Sequence, residues 1–487
     1  LAGLQCDRLL WTYYNARNEI PPPSEATQAI FDQGHLVGQE AKKLFPEGVE
    51  VGTSYTDIAG TISKSMEVLK DRRPVFEGGL SYGGAYARAD VLAPAPKGAW
   101  DVVEVKSSTE VKEINLEDVA LQRYVYEGAG LKIRKCYVCH INNQYERHGE
   151  VEPEELFTRT DVTDDIAEPL ACVPENLRRM AGVIGLKRRP ETAIGPHCSD
   201  PYECPLYEEC HKYLPPHNVL TLVRMGVKGY DLIGDGILDI KKLPAGMKLS
   251  GAQAIQVDAV RSGKPFIHSK EIADFLSGLE YPLYFLDFET LQPAIPLFEG
   301  TRPYQQVPFQ FSLHVQERKG GRVKHFGFLG DGRSDPRSEL LRQLKPLLGT
   351  SGSVVAYNAP FEQRCLRELA WAFPPFASWW DRLEPRFVDL LAPFRSFHYY
   401  HPKQRGSASL KVVLPALCGS GYEGYDIADG GEASQAYLGL TTGKLSRVEE
   451  RKVREDLERY CKKDTEAMVQ IVESLGELIH PLDPPPS

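Results

Sequence analysis

Two sets of side chains have the types and spacing needed to hydrolyse a phosphodiester. In the first, Trp100-Asp101-Val102-Val103-Glu104-Val105-Lys106 reads as a β-strand. Residues two apart on a strand share a face, so Glu104 and Lys106 point into one site. Asp90, in a second strand over 86–92, would join Glu104 in holding Mg²⁺ or Mn²⁺, hard cations that take oxygen ligands and keep waters. Such an ion makes water a nucleophile near neutral pH, and Lys106 would orient that water or neutralise phosphate charge. In the second set, Asp287 and Glu289 share one face of the apolar strand Tyr284-Phe285-Leu286-Asp287-Phe288-Glu289-Thr290. Burying unpaired charge there is costly, and metal ligation supplies the reason for it.

These groups need elements to position them. A helix over 116–128 carries Gln122 and Tyr126, four residues apart and so on one face. His35 follows Gly34 on an earlier helix over 24–44, whose apolar face would pack on the sheet. Further on, Val354 to Glu362 reads as a strand running into a helix that Pro360 is suited to start, with Glu362 near the sheet edge and Asn358, like Lys411, a candidate for contact with nucleic acid. Asp389 sits in another strand over 386–391, where a strand-end structural role is expected. The run Gly406 to Lys411 precedes a helix; its amides and Lys411 can meet a phosphate, or simply cap that helix. The final helix, over 448–473, carries Tyr460 and Asp464 on one face.

Ten cysteines in a chain of this length do not suggest a secreted disulfide scaffold. Cys198, Cys204 and Cys210 crowd into one loop-rich segment while Cys6 stands alone near the start, a distribution that points to metal. Cys136 and Cys139 form a C-x-x-C, but within a buried strand, where core packing is the better account.

The ordered set Gly34-His35, Asp90, Glu104-x-Lys106 and Gln122-xxx-Tyr126 resembles the RecB-like branch of the PD-(D/E)xK nucleases, closest to the CRISPR-associated RecB-like exonucleases. The resemblance implies a restriction-endonuclease-like fold, with His35, Asp90 and Glu104 as metal ligands and Lys106, Gln122 and Tyr126 in catalysis. In iron–sulfur members, one cysteine near the N-terminus and three beyond the nuclease core ligate a [4Fe–4S] cluster, and Cys6, Cys198, Cys204 and Cys210 fit those places. Both gaps within the triplet are five residues where the more familiar pattern has a C-x-x-C, which leaves structural Zn²⁺ as an alternative.

The second half resembles the DnaQ-like, or DEDD, 3′→5′ exonucleases on an RNase H-like fold. Asp287-x-Glu289, Asn358-xx-Phe361-Glu362 and Tyr460-xxx-Asp464 match its three motifs, the last in its tyrosine form. This implies two metal ions roughly 4 Å apart, bridged by Asp287 and completed by Glu289, Glu362 and Asp464. Tyr460 would orient the attacking water, since a phenol of pKa near 10 is a poor base. The second motif usually ends in Asp; Glu362 is one methylene longer, which implies a backbone shift or weaker metal binding. The whole chain is similar to bacterial proteins in which a RecB-like nuclease is fused to an uncharacterised DnaQ-like domain.

At 487 residues the chain predicts two or three domains. The expected division is a front nuclease over 1–214, a helical connector over 215–278 that could touch a nucleic-acid backbone but reads more simply as a spacer, and an exonuclease domain over 279–487. The stretch Asp483-Pro484-Pro485-Pro486 reads as a disordered tail. The chain opens at Leu1 rather than Met, so the numbering is expected to begin inside the natural protein. No secretory signal and no run of roughly 18 apolar residues is visible, so a soluble, cytoplasmic protein without membrane contact is expected. A net charge of -10 counts against a nucleic-acid binder, which is usually basic. Carboxylates gathered at metal sites offset that objection. Local basic strips remain at Lys187, Arg188 and Arg189, and at Lys403, Arg405 and Lys411, although plain surface charge explains each as well. The expected substrate is DNA with free ends, single strands preferred. Rivals are an RNA-trimming enzyme and a nucleic-acid-binding protein with a decayed site. A metabolic α/β enzyme finds no phosphate-loop or dinucleotide fingerprint.

Overall fold

The structure, a computed structural model, describes residues 1–52, 57–427 and 429–479. The expected tail around Pro485 lies outside them. The chain forms two compact units, each mixing helices and strands. One comprises Leu1–His211 with Pro293–Gln305; the other comprises Lys212–Gln292 and the chain from Gln306 onward. No helix of the described residues is long and apolar enough to cross a membrane.

The first unit is built on a six-stranded sheet: β1 (Val49–Glu50), β2 (Val75–Tyr82), β3 (Ala85–Pro94), β4 (Trp100–Lys106), β5 (Ile133–Ile141) and β6 (Phe157–Asp161), side by side in chain order. Strands β4 and β5 run parallel, so a crossover must join them, and α2 (Glu113–Gly128) provides it. The helix α1 (Glu25–Lys42), capped by the Ser24 side chain, buries Val37 and Ala41 with Val91 and Val103 in one core layer. In the other, Val119, Val125 and Tyr126 of α2 pack on Val102 and Val138, with Val173 of α3 (Ala167–Ile184) beyond. Cys136 lies in this second layer and Cys139 in the first, so the C-x-x-C pair packs on opposite faces of β5.

The second unit holds a small two-stranded sheet and a five-stranded one. The latter comprises β8 (Leu283–Leu291), β9 (Val307–Gln316), β10 (Val323–Leu329), β11 (Val354–Ala356) and β12 (Phe387–Asp389), ordered β10-β9-β8-β11-β12. The strand β9 is antiparallel to both neighbours, and β11 is parallel to β8 and β12. Against one face lie Leu366 and Leu369 of a helix at Pro360–Ala372; against the other lie Ala467, Met468 and Ile471 of the long helix Arg447–Ile479.

Two features depart from the sequence reading. The segment 215–278 does not stand apart but belongs to the second unit. Its helix α4 (Gly251–Ser262) buries Val257 and Val260 among Val219, Leu222 and Ile240, and Ala259 against Phe397 and Tyr400. Its strand β7 (Phe266–Ile267) pairs with β13 (Tyr399–Tyr400). Conversely, Pro293–Gln305, which follows β8, belongs to the first unit. The Ala294 N–H donates to Gln33 Oε1 at 3.0 Å, Arg147 Nη1 to the carbonyls of Pro296 and Leu297 at 2.9 Å each, and the Tyr304 hydroxyl to the Ser107 carbonyl.

Candidate metal centres

In the first unit, alternation along β4 points Glu104 and Lys106 at α2. Lys106 Nζ donates to Glu104 Oε1 at 2.6 Å and to Asp118 Oδ2 at 2.8 Å, and Gln122 Nε2 donates to Glu104 Oε2 at 2.7 Å. The β3–β4 ladder ends at Val91 opposite Val103, one step short of Asp90 opposite Glu104. There Asp90 Oδ2 accepts the Val105 N–H at 2.7 Å. Burial raises the Glu104 carboxyl well above its ordinary range, and Asp90 adds to the shift. Burial also pulls Lys106 downward, but Glu104 and Asp118 outweigh it and hold the ammonium protonated.

Three outcomes here differ from expectation. Tyr126 is fully buried; its hydroxyl donates to the Gly78 carbonyl and accepts the Ala89 N–H, both at 2.6 Å. It braces β2 against β3 beside Asp90, and its one donor proton is engaged there. His35 is exposed on α1, whose buried face is formed by Val37 and Ala41. Two acids escaped the sequence reading. Asp118 stands four residues before Gln122 on the same helical face, a signal that was there to be read. Glu77 takes a left-handed φ of +56° within β2 and pairs with Arg88 at 3.0 Å, and Asp90 contributes, after burial, to raising its carboxyl. A non-glycine residue held there stores strain, which no sequence pattern announces.

Cys6, Cys198, Cys204 and Cys210 line one small pocket with Arg8, His197 and Tyr207. Cys6 separates two short N-terminal helices, and Gln5 Nε2 ties that end to the carbonyls of His197 at 2.8 Å and Tyr202 at 2.7 Å. The Cys204 N–H donates to the Cys198 carbonyl at 2.9 Å, which closes the loop. Burial pushes the Cys204 thiol up to about 11 and raises Cys198 and Cys210. Tetrahedral zinc, at about 2.3 Å per sulfur, needs sulfurs about 3.8 Å apart. Among the described residues these sulfurs do not gather in threes within 4.8 Å.

In the second unit, Asp287 and Glu289 lie beyond the pairing of β8 with β11, which ends at Val355 opposite Phe285. They protrude at the carboxyl end of parallel strands, where open α/β sheets bind ligands. The helix α5 (Pro360–Ala372), started by Pro360, buries Glu362 at the same edge. From the other side comes α8 (Arg447–Ile479), after α6 (Leu410–Leu417) and α7 (Gly430–Thr441). Four alternate residues of β9 face α8, and each is polar and buried. Gln310 Nε2 donates to the Leu457 carbonyl at 2.9 Å, Ser312 Oγ and His314 Nδ1 each meet Thr465 Oγ1 at 2.7 Å, and Gln316 Nε2 meets Glu473 at 3.2 Å. Such bonds fix register where apolar packing would allow sliding, and Thr465 is the neighbour of Asp464.

These elements enclose a cavity of about 290 Å³ lined by Asp287, Glu289, Asn358, Glu362, Tyr460 and Asp464, among others. Burial raises Asp287, Glu289 and Glu362 well above the ordinary carboxyl range, and mutual repulsion adds to it. Asp464 rises to about 6 through burial, against opposing hydrogen bonds from Tyr422 and Tyr460. The Tyr422 hydroxyl donates to Asp464 Oδ1 at 2.5 Å. Lys411 Nζ lies 4.9 Å from the Tyr460 ring centre and 5.7 Å from that of Tyr422. Burial pushes the Tyr460 phenol upward, so it stays a donor. Asp389 Oδ1 accepts the N–H groups of Asn358 (2.9 Å), Ala359 (3.3 Å) and Leu391 (3.0 Å), a structural cap. Tyr422 left no signal in the sequence, because its loop reaches the site only through tertiary packing.

A divalent cation fits both carboxylate centres on one further ground. Gln122 Oε1 in the first and Glu362 Oε2 in the second are buried without a hydrogen-bond partner. The second centre alone, among the described residues, brings three ligand atoms within 4.8 Å of one another, from Asp287, Glu289 and Cys461.

Against known proteins, a family model described as "Domain of unknown function (DUF2779)" matches residues 284–409. The match spans β8 to the threshold of α6 and so takes in Asp287, Glu289 and Glu362 but not Tyr460 or Asp464. No curated protein matches the chain.

Proposed function

We propose that the chain is a metal-dependent nuclease with two hydrolytic centres that degrades DNA from free ends, single strands preferred. The observation that carries this reading is the convergence of Asp287, Glu289, Glu362, Asp464 and Tyr460, from separate stretches of sequence, on one cavity. In this reading the second unit is an RNase H-like exonuclease, and the mixed sheet with its acids at the carboxyl edge of β8 supports it. The first unit is a restriction-endonuclease-like domain, supported by Asp90, Glu104 and Lys106 at one point on the sheet. Cys6, Cys198, Cys204 and Cys210, which line one pocket, would hold a [4Fe–4S] cluster and so tie the ends of that unit together. Free thiols and such a cluster suit the reducing cytoplasm.

Asp287, Glu289, Glu362 and Asp464 would hold Mg²⁺ or Mn²⁺ in the second unit, and Asp90 and Glu104 in the first. The ion supplies charge stabilisation and an activated water. The chain's own groups do the rest. Tyr460, whose hydroxyl donates to Asp464, would turn that bond to the nucleophile once Asp464 holds a cation, and Lys411 offers the phosphate a cation held by two ring faces. Asn358, at the cavity wall, contacts the substrate strand.

The test incubates the purified full chain with end-labelled single-stranded DNA and RNA, each with Mn²⁺ or Mg²⁺. Glu104→Ala and Asp287→Ala should each remove one component of DNA cleavage by at least about a hundredfold. Cleavage unchanged in both variants defeats the assignment; RNA cut in preference to DNA replaces the substrate.

A further inference from the structure

Cys461 follows Tyr460 on α8, is fully buried, and places its sulfur 3.7 Å from Asp287 Oδ2. It stands three positions before Asp464, so both meet β8 from one helical face. If the thiol served only to hold Asp287, it would be a poor choice, since S–H is a weak donor and a serine hydroxyl would hold the carboxylate better. As a metal ligand its position makes sense. Zinc at about 2.3 Å from sulfur and 2.1 Å from oxygen, in tetrahedral geometry, separates the two ligand atoms by about 3.6 Å. The observed 3.7 Å matches that value. An independent sign that the cluster awaits a cation is Glu362 Oε2, buried against the same cavity without a hydrogen-bond partner.

We propose that Cys461 is a ligand in the second unit's centre, which makes one metal position of that centre select borderline-soft divalent cations, zinc or cobalt(II), over magnesium. The selectivity follows from ligand softness: magnesium takes oxygen ligands in octahedral geometry, whereas thiolate favours zinc and its neighbours. On binding, the S–H bond breaks, its electron pair goes to the metal and its proton leaves to the buffer. This rests on the reading of Asp287 and Glu289 as metal ligands.

Cobalt(II) added to the full chain, purified anaerobically, tests it, because cobalt–thiolate bonds give charge-transfer absorption. Cys6, Cys198, Cys204 and Cys210 contribute equally to wild type and Cys461→Ser, so the difference spectrum isolates Cys461. The expected result is a thiolate band in that difference. Zinc affinity should be weaker by about tenfold or more in the variant, and magnesium affinity changed by less than about twofold. Identical spectra and affinities overturn the proposal. If Cys461→Ser fails to fold, as far-ultraviolet circular dichroism would reveal, Asp287→Asn decides. A weakened cobalt band there supports the shared site, and an unchanged one overturns it. The two readings also part cleanly. Manganese-dependent cleavage by a wild type without the band removes Cys461 from the metal and leaves the nuclease standing. The band without cleavage of DNA or RNA does the reverse.

Discussion

In the first unit Lys106 stands 2.6 Å from Glu104 and 2.8 Å from Asp118, with Arg88 and Lys42 reaching Glu77 close by. In the second, Asp287, Glu289, Glu362 and Asp464 share a cavity with Lys411, which approaches over the faces of two tyrosines. The first centre neutralises much of its charge by direct ion pairs. The second leaves a larger negative excess, and its carboxyls are pushed upward more broadly. A fold can hold such an excess only at a cost in stability, which a bound cation would repay. The second centre should therefore depend on its metal for stability as well as for chemistry, and the first far less.

Removing each lysine is the harshest test of this contrast. Lys106→Met leaves Glu104 and Asp118 without their shared partner and should cost the first unit about 3–5 kcal/mol. Lys411→Met removes a cation that lies over two ring faces and opposes the upward shift of Asp287, Glu289 and Asp464 from a distance, and should cost the second unit less. Hydrogen exchange on the metal-free chain reads the units separately; equal losses would erase the distinction. Acidity is the next lever. An ordinary aspartate titrates near 3.9 in the unfolded chain, whereas folded Asp464 titrates at about 6. Between these values the folded state holds the extra proton. Its stabilising contribution is therefore complete below about pH 4 and lost as pH rises through 6, up to about 3 kcal/mol. Denaturation of the metal-free chain from pH 4.5 to 7.5 should show the second unit weakening. Asp464→Asn should lessen that slope, with Asp287, Glu289 and Glu362 supplying the rest, and a divalent cation should reverse it.

A smaller effect has an unusual sign. Asp287→Asn removes one of the repelling charges and should stabilise the metal-free second unit by about 1–2 kcal/mol at pH 8 while abolishing its cleavage, the trade expected where function holds like charges together. A destabilised variant would mean that Asp287 is satisfied within the fold and has no need of a cation.

Local signals carried much of both centres. Alternation along β4 and β8 put Glu104 with Lys106, and Asp287 with Glu289, on common faces. Four-residue spacing did the same for Tyr460 and Asp464, and Pro360 marked the start of α5. Features set by pairing between distant segments were not legible. The end of the β3–β4 ladder just short of Asp90, the left-handed turn of Glu77 and the arrival of Tyr422 at Asp464 depend on contacts that no window of sequence contains. The place of 215–278 was not legible for the same reason. The segment 215–278 has short helices with Gly and Pro breaks, which look like a spacer until Ala259 meets Phe397 and Tyr400, over a hundred residues away. Cys461 was visible beside Tyr460, but its relation to Asp287 needs the β9–α8 register to be known.

The mildest prediction sets one tyrosine of each centre against the other. Tyr126 and Tyr460 each stand four residues from a polar partner on the same helix, the first closing its motif and the second opening its own. Their hydroxyls meet different company: Tyr126 meets two backbone groups, Tyr460 a carboxylate. Tyr126→Phe strands the Ala89 N–H and the Gly78 carbonyl in the core, so it should lower first-unit stability by about 1–2 kcal/mol. Its cleavage rate per folded molecule should stay within about threefold of wild type, because no reacting atom loses a partner. Tyr460→Phe should do the opposite, leaving stability nearly unchanged and slowing the chemical step about a hundredfold. Single-turnover rates alongside denaturation curves separate the two. A Tyr126→Phe variant that folds as well as wild type but cleaves a hundredfold more slowly would return Tyr126 to the reaction and make the two centres alike.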